Sequence, residues 1–406
     1  MARLSSFPID IVENPLAKPD AAYGAAERSA LDEAGFERAW ATVTRWPGYK
    51  PTPLISLSGL ARAAGVADLR YKDEGGRFGL GSFKALGGAY AVYRLLARMI
   101  AAKSGGAEPT VDDLLSGRFR DLAETVTVAS ATDGNHGRSV AWGAKLFGCR
   151  CVIYIHATVS EGRRAAIAAF GAEVVRIKGN YDDSVHQAAA DAAKNGWHVV
   201  SDTAYEGYWQ IPCDVMQGYA VMADEIVREM KDPPTHVFLQ GGVGGLAAAV
   251  VSRFWQVWGV RRPRAVVVEP IRADCLYQSA KAGTPTKSAG DLDTLMAGLA
   301  AGEVSLAAWE VLKGGASAFM IVPDETAVQA MRLLAEGIDG DPRVVGGEAG
   351  VGGLAGFLAA SVNDSTRKTL GLTASSRVLT IGSEGDTDPA LYREIVGRSG
   401  DEVRAA

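Results

Sequence analysis

One lysine stands where its amine could act as a nucleophile. The segment Arg77–Gly88 reads RFGLGSFKALGG, a glycine-containing loop that runs into a predicted helix, and Lys84 falls in the first turn of that helix. The positive end of a helix dipole disfavours the charged form of a lysine. The sequence therefore predicts a depressed pKa and a nucleophilic role for Lys84. The competing interpretation is a solvated surface lysine, because most lysines are exposed.

A polar turn follows a predicted strand at Thr125–Ala131. It reads SATDGNHG over residues 130–137. Asp133 places a carboxylate near a helix start, and the amide of Asn135 can donate or accept a hydrogen bond. Alternatively, Asp133 or Asn135 serves only as the N-cap of the following helix.

A glycine-rich turn reads QGGVGGL over residues 240–246, again between a predicted strand and a predicted helix. Backbone amides that no side chain shields, at a helix N-terminus, are typical of phosphate binding. The same residues fit the dinucleotide pattern G-x-G-x-x-A, with Glu269 as the ribose-binding acid. The turn alone does not separate these two interpretations.

Two later segments add hydroxyls and carboxylates. Residues 381–389 read IGSEGDTDP, in which Ser383 or Thr387 could hydrogen-bond a heteroaromatic nitrogen. Alternatively, this segment is a loop in which Thr387 or Asp388 caps a helix that begins at Pro389. Residues 346–350 read GGEAG and place Glu348 among glycines, which favour close approach to a ligand or close helix packing.

Short apolar runs alternate with longer helical patterns, which predicts an α/β fold with mainly parallel sheets covered by helices. Ligands bind such sheets at the carboxyl ends of strands, where the segments above lie. The predicted strands are 125–131, 149–156, 173–178, 198–202, 236–240, 264–269 and 377–381. The predicted helices are 84–103, 136–147, 162–170, 183–195, 214–230, 245–258, 324–336, 350–361 and 389–396. Residues 269–322 show little strand signal.

Composition narrows the possible partners. The formal net charge is −5, with 48% hydrophobic and 22% charged residues, so neither nucleic acid nor an anionic membrane is the expected partner. The N-terminus has no secretory pattern, and no apolar run reaches membrane-spanning length. Four cysteines and five histidines show no metal-ligand spacing. We therefore expect a reduced cytoplasmic protein without a metal.

Taken in order, these segments resemble the pyridoxal-phosphate enzymes of the tryptophan-synthase β fold, known as fold type II. The resemblance implies that Lys84, preceded by Phe83, is the Schiff-base lysine for pyridoxal 5′-phosphate and that Asn135 binds the phenolic oxygen of the cofactor. It further implies that Ser383, or Thr387 in its place, faces the pyridine nitrogen. The implied phosphate cradle consists of Gly241, Gly242, Val243, Gly244 and Gly245.

An acid within the Asn135 turn makes the likeness more specific. Three features look like those of the diaminopropionate ammonia-lyases: Asp133 in this turn, DTAYEGY over residues 202–208 and EGDTD over residues 384–388. Members of that family carry two acids in the substrate pocket, matched here by Asp133 and Asp202. The resemblance also implies a homodimer of two-domain subunits, with a large domain of residues 1–87 and 226–406 and a small domain of residues 88–225.

The expected reaction is α,β-elimination of 2,3-diaminopropionate to pyruvate and two ammonia. We expect Asp202 to bind the second ammonium, and Lys84 and Asp133 to serve opposite faces of the substrate, so that both D and L isomers react. The alternatives are a serine or threonine dehydratase, a threonine-synthase-like enzyme and, more distantly, an NAD-dependent oxidoreductase. The candidate substrate-binding residues are Ser130, Thr132, Asp133, Asp202 and Glu348.

Overall fold

The chain forms two compact units in a computed structural model that describes residues 4–132 and 134–406. The first unit contains Met1–Glu33, Pro51–Ser82 and Met222–Ala406, and the second contains Ala34–Lys50 and Phe83–Val221. The predicted small domain, residues 88–225, covers most of the second unit but not residues 34–50 and 83–87, and its residues 222–225 fall in the first unit.

The described residues form eleven strands and eighteen α-helices. The strands are β1 Asp10–Glu13, β2 Leu54–Ser56, β3 Asp68–Asp73, β4 Thr127–Ala131, β5 Arg150–Ile155, β6 Glu173–Arg176, β7 His198–Val199, β8 His236–Gln240, β9 Arg264–Pro270, β10 Ala318–Val322 and β11 Arg377–Gly382. The helices are α1 Ala25–Arg28, α2 Glu33–Val43, α3 Ser58–Ala63, α4 Lys84–Ser104, α5 Val111–Leu115, α6 Arg120–Ala123, α7 Asn135–Phe147, α8 Glu161–Ala168, α9 Tyr181–Asn195, α10 Gln210–Glu229, α11 Gly245–Trp258, α12 Cys275–Ala282, α13 Leu306–Gly315, α14 Asp324–Glu336, α15 Gly352–Ser361, α16 Asp364–Leu370, α17 Pro389–Val396 and α18 Gly400–Arg404.

The first unit is built on a seven-stranded sheet in the order β1-β10-β9-β8-β11-β3-β2. The five inner strands are parallel, and β1 and β2 join the edges antiparallel. The inner strands are apolar because helices cover both faces of such a sheet. For example, all five residues of β8 are buried. Both β8 and β11 end at segments that the sequence singled out.

The second unit is built on a four-stranded parallel sheet in the order β6-β5-β4-β7. Its small apolar core includes Ala129, Val152, Tyr154 and Ala188. The predicted α/β class with mainly parallel sheets is therefore confirmed. Across residues 4–132 and 134–406, no helix is long and apolar enough to cross a membrane.

Glycines bring α4 and α7 of the second unit unusually close. A Cβ on Gly143 of α7 would lie 2.6 Å from Cα of Ala89 and 2.9 Å from its Cβ, and one on Gly88 of α4 would lie 2.5 Å from Oγ of Ser139. Such distances are too short for any side chain. The close packing holds the start of α4, which carries Lys84, against α7.

We expect Gly143→Ala to lower the free energy of unfolding by about 1–3 kcal/mol, because the backbone at Ala89 must move away from the new methyl group. Urea denaturation followed by circular dichroism measures the change. Gly162→Ala is the matched control, since Gly162 lies in α8 with its nearest heavy atom, Oγ of Ser160, 4.0 Å from the added Cβ. This control should keep or raise stability. Equal destabilisation by both variants would refute the contact argument.

Candidate active site

The second unit brings Lys84 and Asp202 together from positions 118 residues apart. Lys84 is the first residue of α4, and Asp202 follows β7. Nζ of Lys84 lies 2.5 Å from Oδ2 of Asp202, and the two side chains are only 21% and 17% exposed. Lys84 is thus paired and largely buried, and the surface-lysine interpretation is wrong.

The pair determines the charge state of both groups. Burial acts to lower the pKa of Lys84, but the Asp202 carboxylate outweighs burial and raises that pKa above its usual range. Burial likewise acts to raise the pKa of Asp202, and the Lys84 ammonium holds it well below its usual range. The predicted depression of the Lys84 pKa is therefore wrong for the chain without cofactor, because an ion pair at this distance is stronger than the helix dipole.

Aromatic rings surround the Lys84 side chain. Its Nζ lies 5.4 Å from the ring centroid of Phe83 and 5.7 Å from that of Tyr219 in α10. A Cβ on Gly87 would lie 2.3 Å from Cε1 of Tyr219, so the glycine makes room for this ring. Burial raises the pKa of Tyr219 above its usual range, which keeps its phenol neutral. Tyr219 was not identified from the sequence, although Gly87 was a signal of a close neighbour.

His136 is a third group at this pair. It lies in the first turn of α7 and is 8% exposed. Its Nδ1 lies 4.0 Å from Oδ2 of Asp202, and its Nε2 lies 2.9 Å from the carbonyl oxygen of Val200. The spacing of the five histidines in the sequence does not indicate this position of His136, because its contact with Asp202 is not local.

The turn between β4 and α7 is held by a hydroxyl. Thr132 is buried, and its Oγ1 accepts the N–H groups of Gly134 at 3.0 Å and Gly137 at 3.1 Å. Gly134 is the N-cap, and Asn135 is the first helical residue, so the suggestion that Asn135 is the N-cap is wrong. Ser130 is buried at the end of β4. Asp133 lies outside the described residues.

The glycine-rich turn of the first unit leads from β8 into α11. Gly242 and Gly244 have φ of +62° and +97°, which side-chain-bearing residues rarely adopt. Gly241 and Gly245 are buried. Among the described residues, the amides of Gly242, Val243 and Gly245 have no hydrogen-bond acceptor. These amides at the positive end of α11 suit a phosphate group.

Glu269 does not suit a ribose. Its carboxylate accepts the N–H groups of Leu276 at 3.0 Å and Tyr277 at 2.7 Å and so caps α12 within the first unit. Burial raises the pKa of Glu269 to about 8, although these amides oppose the rise. A Cβ on Gly241 would lie 2.6 Å from Cγ of Glu269, which leaves no room between them. The dinucleotide interpretation of this turn is wrong for that reason.

The loop after β11 packs on the 346–350 segment. Ser383 and Glu348 are buried, and a Cβ on Gly347 would lie 2.3 Å from the carbonyl oxygen of Gly385. Oγ1 of Thr387 donates to Oε2 of Glu384 at 3.2 Å. The proton of the Thr387 hydroxyl is thus already used within the loop. In this segment, the glycines serve close packing between two loops.

A buried charge cluster that includes Arg77, seven residues before Lys84, belongs to the first unit. Arg77 makes paired hydrogen bonds with Glu74 at 2.7 Å and with Glu225 at 2.8 Å, and Lys72 binds Glu225 at 2.7 Å. All four side chains are almost completely buried. Two cations and two anions balance, so the cluster holds the Arg77 segment without an unpaired buried charge.

The family model described as pyridoxal-phosphate dependent enzyme matches residues 45–369. The chain belongs to this family. It is 42% identical over 357 residues to diaminopropionate ammonia-lyase of Escherichia coli strain K12, covering 86% of this chain and 88% of that protein. The chain is therefore also a member of the diaminopropionate ammonia-lyase family, as the sequence predicted.

Solved structures agree with this placement. The holo crystal structure of the selenomethionine-incorporated Escherichia coli diaminopropionate ammonia-lyase has a TM-score of 0.88 to this chain, with 38% identity over 97% of this chain and 98% of that one. The same enzyme in complex with D-serine has a TM-score of 0.87, at 38% identity and the same coverage. The predicted fold type II and the predicted cofactor, pyridoxal phosphate, are confirmed.

Proposed function

We propose that this chain catalyses the α,β-elimination of 2,3-diaminopropionate to pyruvate and two ammonia. The observation that carries the proposal is the buried pair of Lys84 and Asp202, because it places an amine at a helix start beside a fixed carboxylate. The chain's membership of the diaminopropionate ammonia-lyase family supports the same substrate. The D-serine bound to the Escherichia coli enzyme supports a small amino acid as ligand.

The described residues suit pyridoxal phosphate. Lys84 would bind its aldehyde, Asn135 its phenolic oxygen, and the turn of residues 241–245 its phosphate, through the amides of Gly242, Val243 and Gly245. Since the Thr387 hydroxyl donates to Glu384, we assign Ser383 to the pyridine nitrogen. When bound, the cofactor supplies an electron sink for the α-carbon of an amino acid.

The protein's own groups then handle protons and charge. Once Lys84 holds the cofactor, its ammonium would no longer pair with Asp202, and Asp202 would be available to the second ammonium of a dicationic substrate. A charge-assisted hydrogen bond is worth about 1.5–3 kcal/mol, which corresponds to roughly 10- to 150-fold preference over a hydroxyl substrate. We assign proton abstraction to Lys84 on one face of the substrate and to Asp133 on the other. Glu348, Ser130 and Thr132 remain our candidates for shaping the substrate pocket.

The test of the assigned substrate is a comparison of kcat/KM on diaminopropionate and serine. We expect a clear preference for the diamine. A dehydratase or a threonine-synthase-like enzyme would instead prefer the hydroxyl amino acid, and that result would refute the proposal.

The assignment of Asp133 predicts a stereochemical effect. We expect Asp133→Asn to reduce kcat for one enantiomer of diaminopropionate by about 10²- to 10⁴-fold, because an amide cannot take the α-proton, and to leave the other largely unchanged. Separate assays with the D and L isomers measure this. Asp182→Asn, an exposed acid of α9, is the control. An equal loss on both isomers would contradict the division between Lys84 and Asp133.

We also infer that the chain acts as a homodimer in the cytoplasm. Family membership supports the homodimer. The four free cysteines support the cytoplasm, because disulfides are rare in that compartment. Light scattering of the purified protein should give twice the mass of one 42.6 kDa chain. A monomeric mass for active enzyme would refute the dimer.

A further inference from the structure

The Lys84 ammonium cannot attack an aldehyde until it loses a proton. A nitrogen needs its lone pair to form a bond to carbon. In the second unit, the Asp202 carboxylate holds Lys84 in the charged form at 2.5 Å. Cofactor capture therefore requires a base that can accept this proton, and a buried, strongly paired carboxylate is a poor final acceptor.

His136 has an open acceptor position beside the same carboxylate. A carbonyl oxygen can only accept, so the 2.9 Å contact with Val200 fixes the hydrogen on Nε2. In the neutral ring, Nδ1 then carries the lone pair. Among the described residues, Nδ1 is buried without a hydrogen-bond partner, and it lies 4.0 Å from Oδ2 of Asp202, the oxygen that holds Lys84.

We propose that His136 is the base that finally receives the proton of Lys84 when Lys84 captures pyridoxal phosphate. Lys84 gives one proton to Oδ2 of Asp202, and Asp202 gives one proton to Nδ1 of His136. The ammonium and the imidazole become an amine and an imidazolium, and the carboxylate is unchanged. The amine nitrogen would then form a double bond to the aldehyde carbon as the carbon–oxygen double bond breaks, and the aldehyde oxygen would leave as water with the two hydrogens that remain on the amine. For the second transfer, the 4.0 Å contact must shorten to a hydrogen bond.

The electrostatics around His136 support this order of events. The described charged groups that face it are the Asp202 carboxylate, after β7, and the Lys84 ammonium, from α4, while α10 contributes the neutral Tyr219 beside Lys84. Burial lowers the pKa of His136, the carboxylate raises it and the ammonium lowers it. His136 is therefore neutral while Lys84 is charged. Once Lys84 loses its charge, the remaining carboxylate favours the imidazolium, so Asp202 keeps a cationic partner until the second ammonium of a substrate takes that place.

The test measures cofactor loading and not turnover. Apoenzyme is mixed with pyridoxal 5′-phosphate, the visible absorbance of bound cofactor is followed with time, and borohydride reduction with peptide mass spectrometry identifies the labelled lysine. We expect His136→Gln, which retains an N–H donor for Val200, to load about 10²-fold more slowly than wild type at pH 7. His186→Gln, at an exposed histidine of α9, is the control and should load at the wild-type rate.

The pH profile separates a proton acceptor from a structural role. In the wild type, the loading rate should stay nearly level around neutral pH, because the proton stays within the protein. In His136→Gln, it should rise about tenfold per pH unit, because solvent must remove the proton. His136→Ala with added imidazole should recover part of the wild-type rate. If His136→Gln fails to fold, the pH profile of the wild type still tests the proposal. A wild-type loading rate that rises tenfold per pH unit contradicts it.

This inference depends on the proposed function only through Lys84, and the two fail differently. If His136→Gln loads Lys84 at the wild-type rate with the wild-type pH profile, His136 is not the base, and Lys84 keeps its assigned role. If the wild-type label appears on another lysine, the assignment of Lys84 fails as well.

Discussion

Lys84→Ala should abolish both the visible absorbance of bound cofactor and the elimination of diaminopropionate. Without this amine, no covalent bond to the cofactor can form, and the base on one face of the substrate is missing. We expect turnover to fall by about 10⁴-fold or more. An absorbance scan and a pyruvate assay measure the two effects.

The same helix provides a matched control for this variant. Lys103 is exposed in the last turn of α4, at the other end from Lys84. Lys103→Ala should keep the absorbance and the turnover of the wild type. A Lys84→Ala protein that keeps the absorbance band would remove Lys84 from the site.

Asp202→Asn should have the second largest effect, on substrate choice. The amide has the same shape but no charge, so it cannot compensate the second ammonium of diaminopropionate. We expect the ratio of kcat/KM for diaminopropionate to that for serine to fall by roughly 10- to 150-fold, since one charge-assisted hydrogen bond is worth about 1.5–3 kcal/mol.

Asp202→Asn should also change Lys84 in the apoenzyme. Because the carboxylate raises the pKa of Lys84, its removal should lower that pKa, and Lys84 should become reactive toward an amine-modifying reagent at lower pH. The pH dependence of the modification rate at Lys84 measures this, with Asp182→Asn as the control. An unchanged substrate ratio together with an unchanged modification profile would show that Asp202 serves neither group.

Local patterns predicted the central elements well. The bounds of β8, α11, α14 and α17 agree with the sequence analysis residue for residue. These elements have clear signals: an apolar run, glycines before a helix, or a proline at or just before its first position. The order of the chemically unusual segments along the chain was enough to indicate the family and its cofactor.

The missed strands show where local patterns do not suffice. β3, Asp68–Asp73, reads DLRYKD and does not look like a buried strand. It is one because it pairs with β11 and β2, and the buried charge of Lys72 is compensated by Glu225, which lies 153 residues away. β1 is a four-residue antiparallel edge strand, and β10 lies in residues 269–322, where the sequence shows little strand signal.

The charge state of Lys84 also depends on a contact between residues that are far apart in the sequence. The sequence indicated its position in the first turn of a helix, from which the dipole alone predicts a depressed pKa. The opposite shift comes from Asp202, which only the fold brings to Lys84. Likewise, the role of Thr132 as the acceptor for the start of α7 depends on the shape of the turn and not on its composition.

The central claim is that Lys84 binds the cofactor, and its most direct test is the mass of borohydride-reduced holoenzyme after proteolysis. We predict one cofactor-derived mass increment per chain, on the peptide that contains Lys84. An increment on a peptide with another lysine, or a Lys84 peptide of unmodified mass in fully loaded enzyme, would contradict the claim.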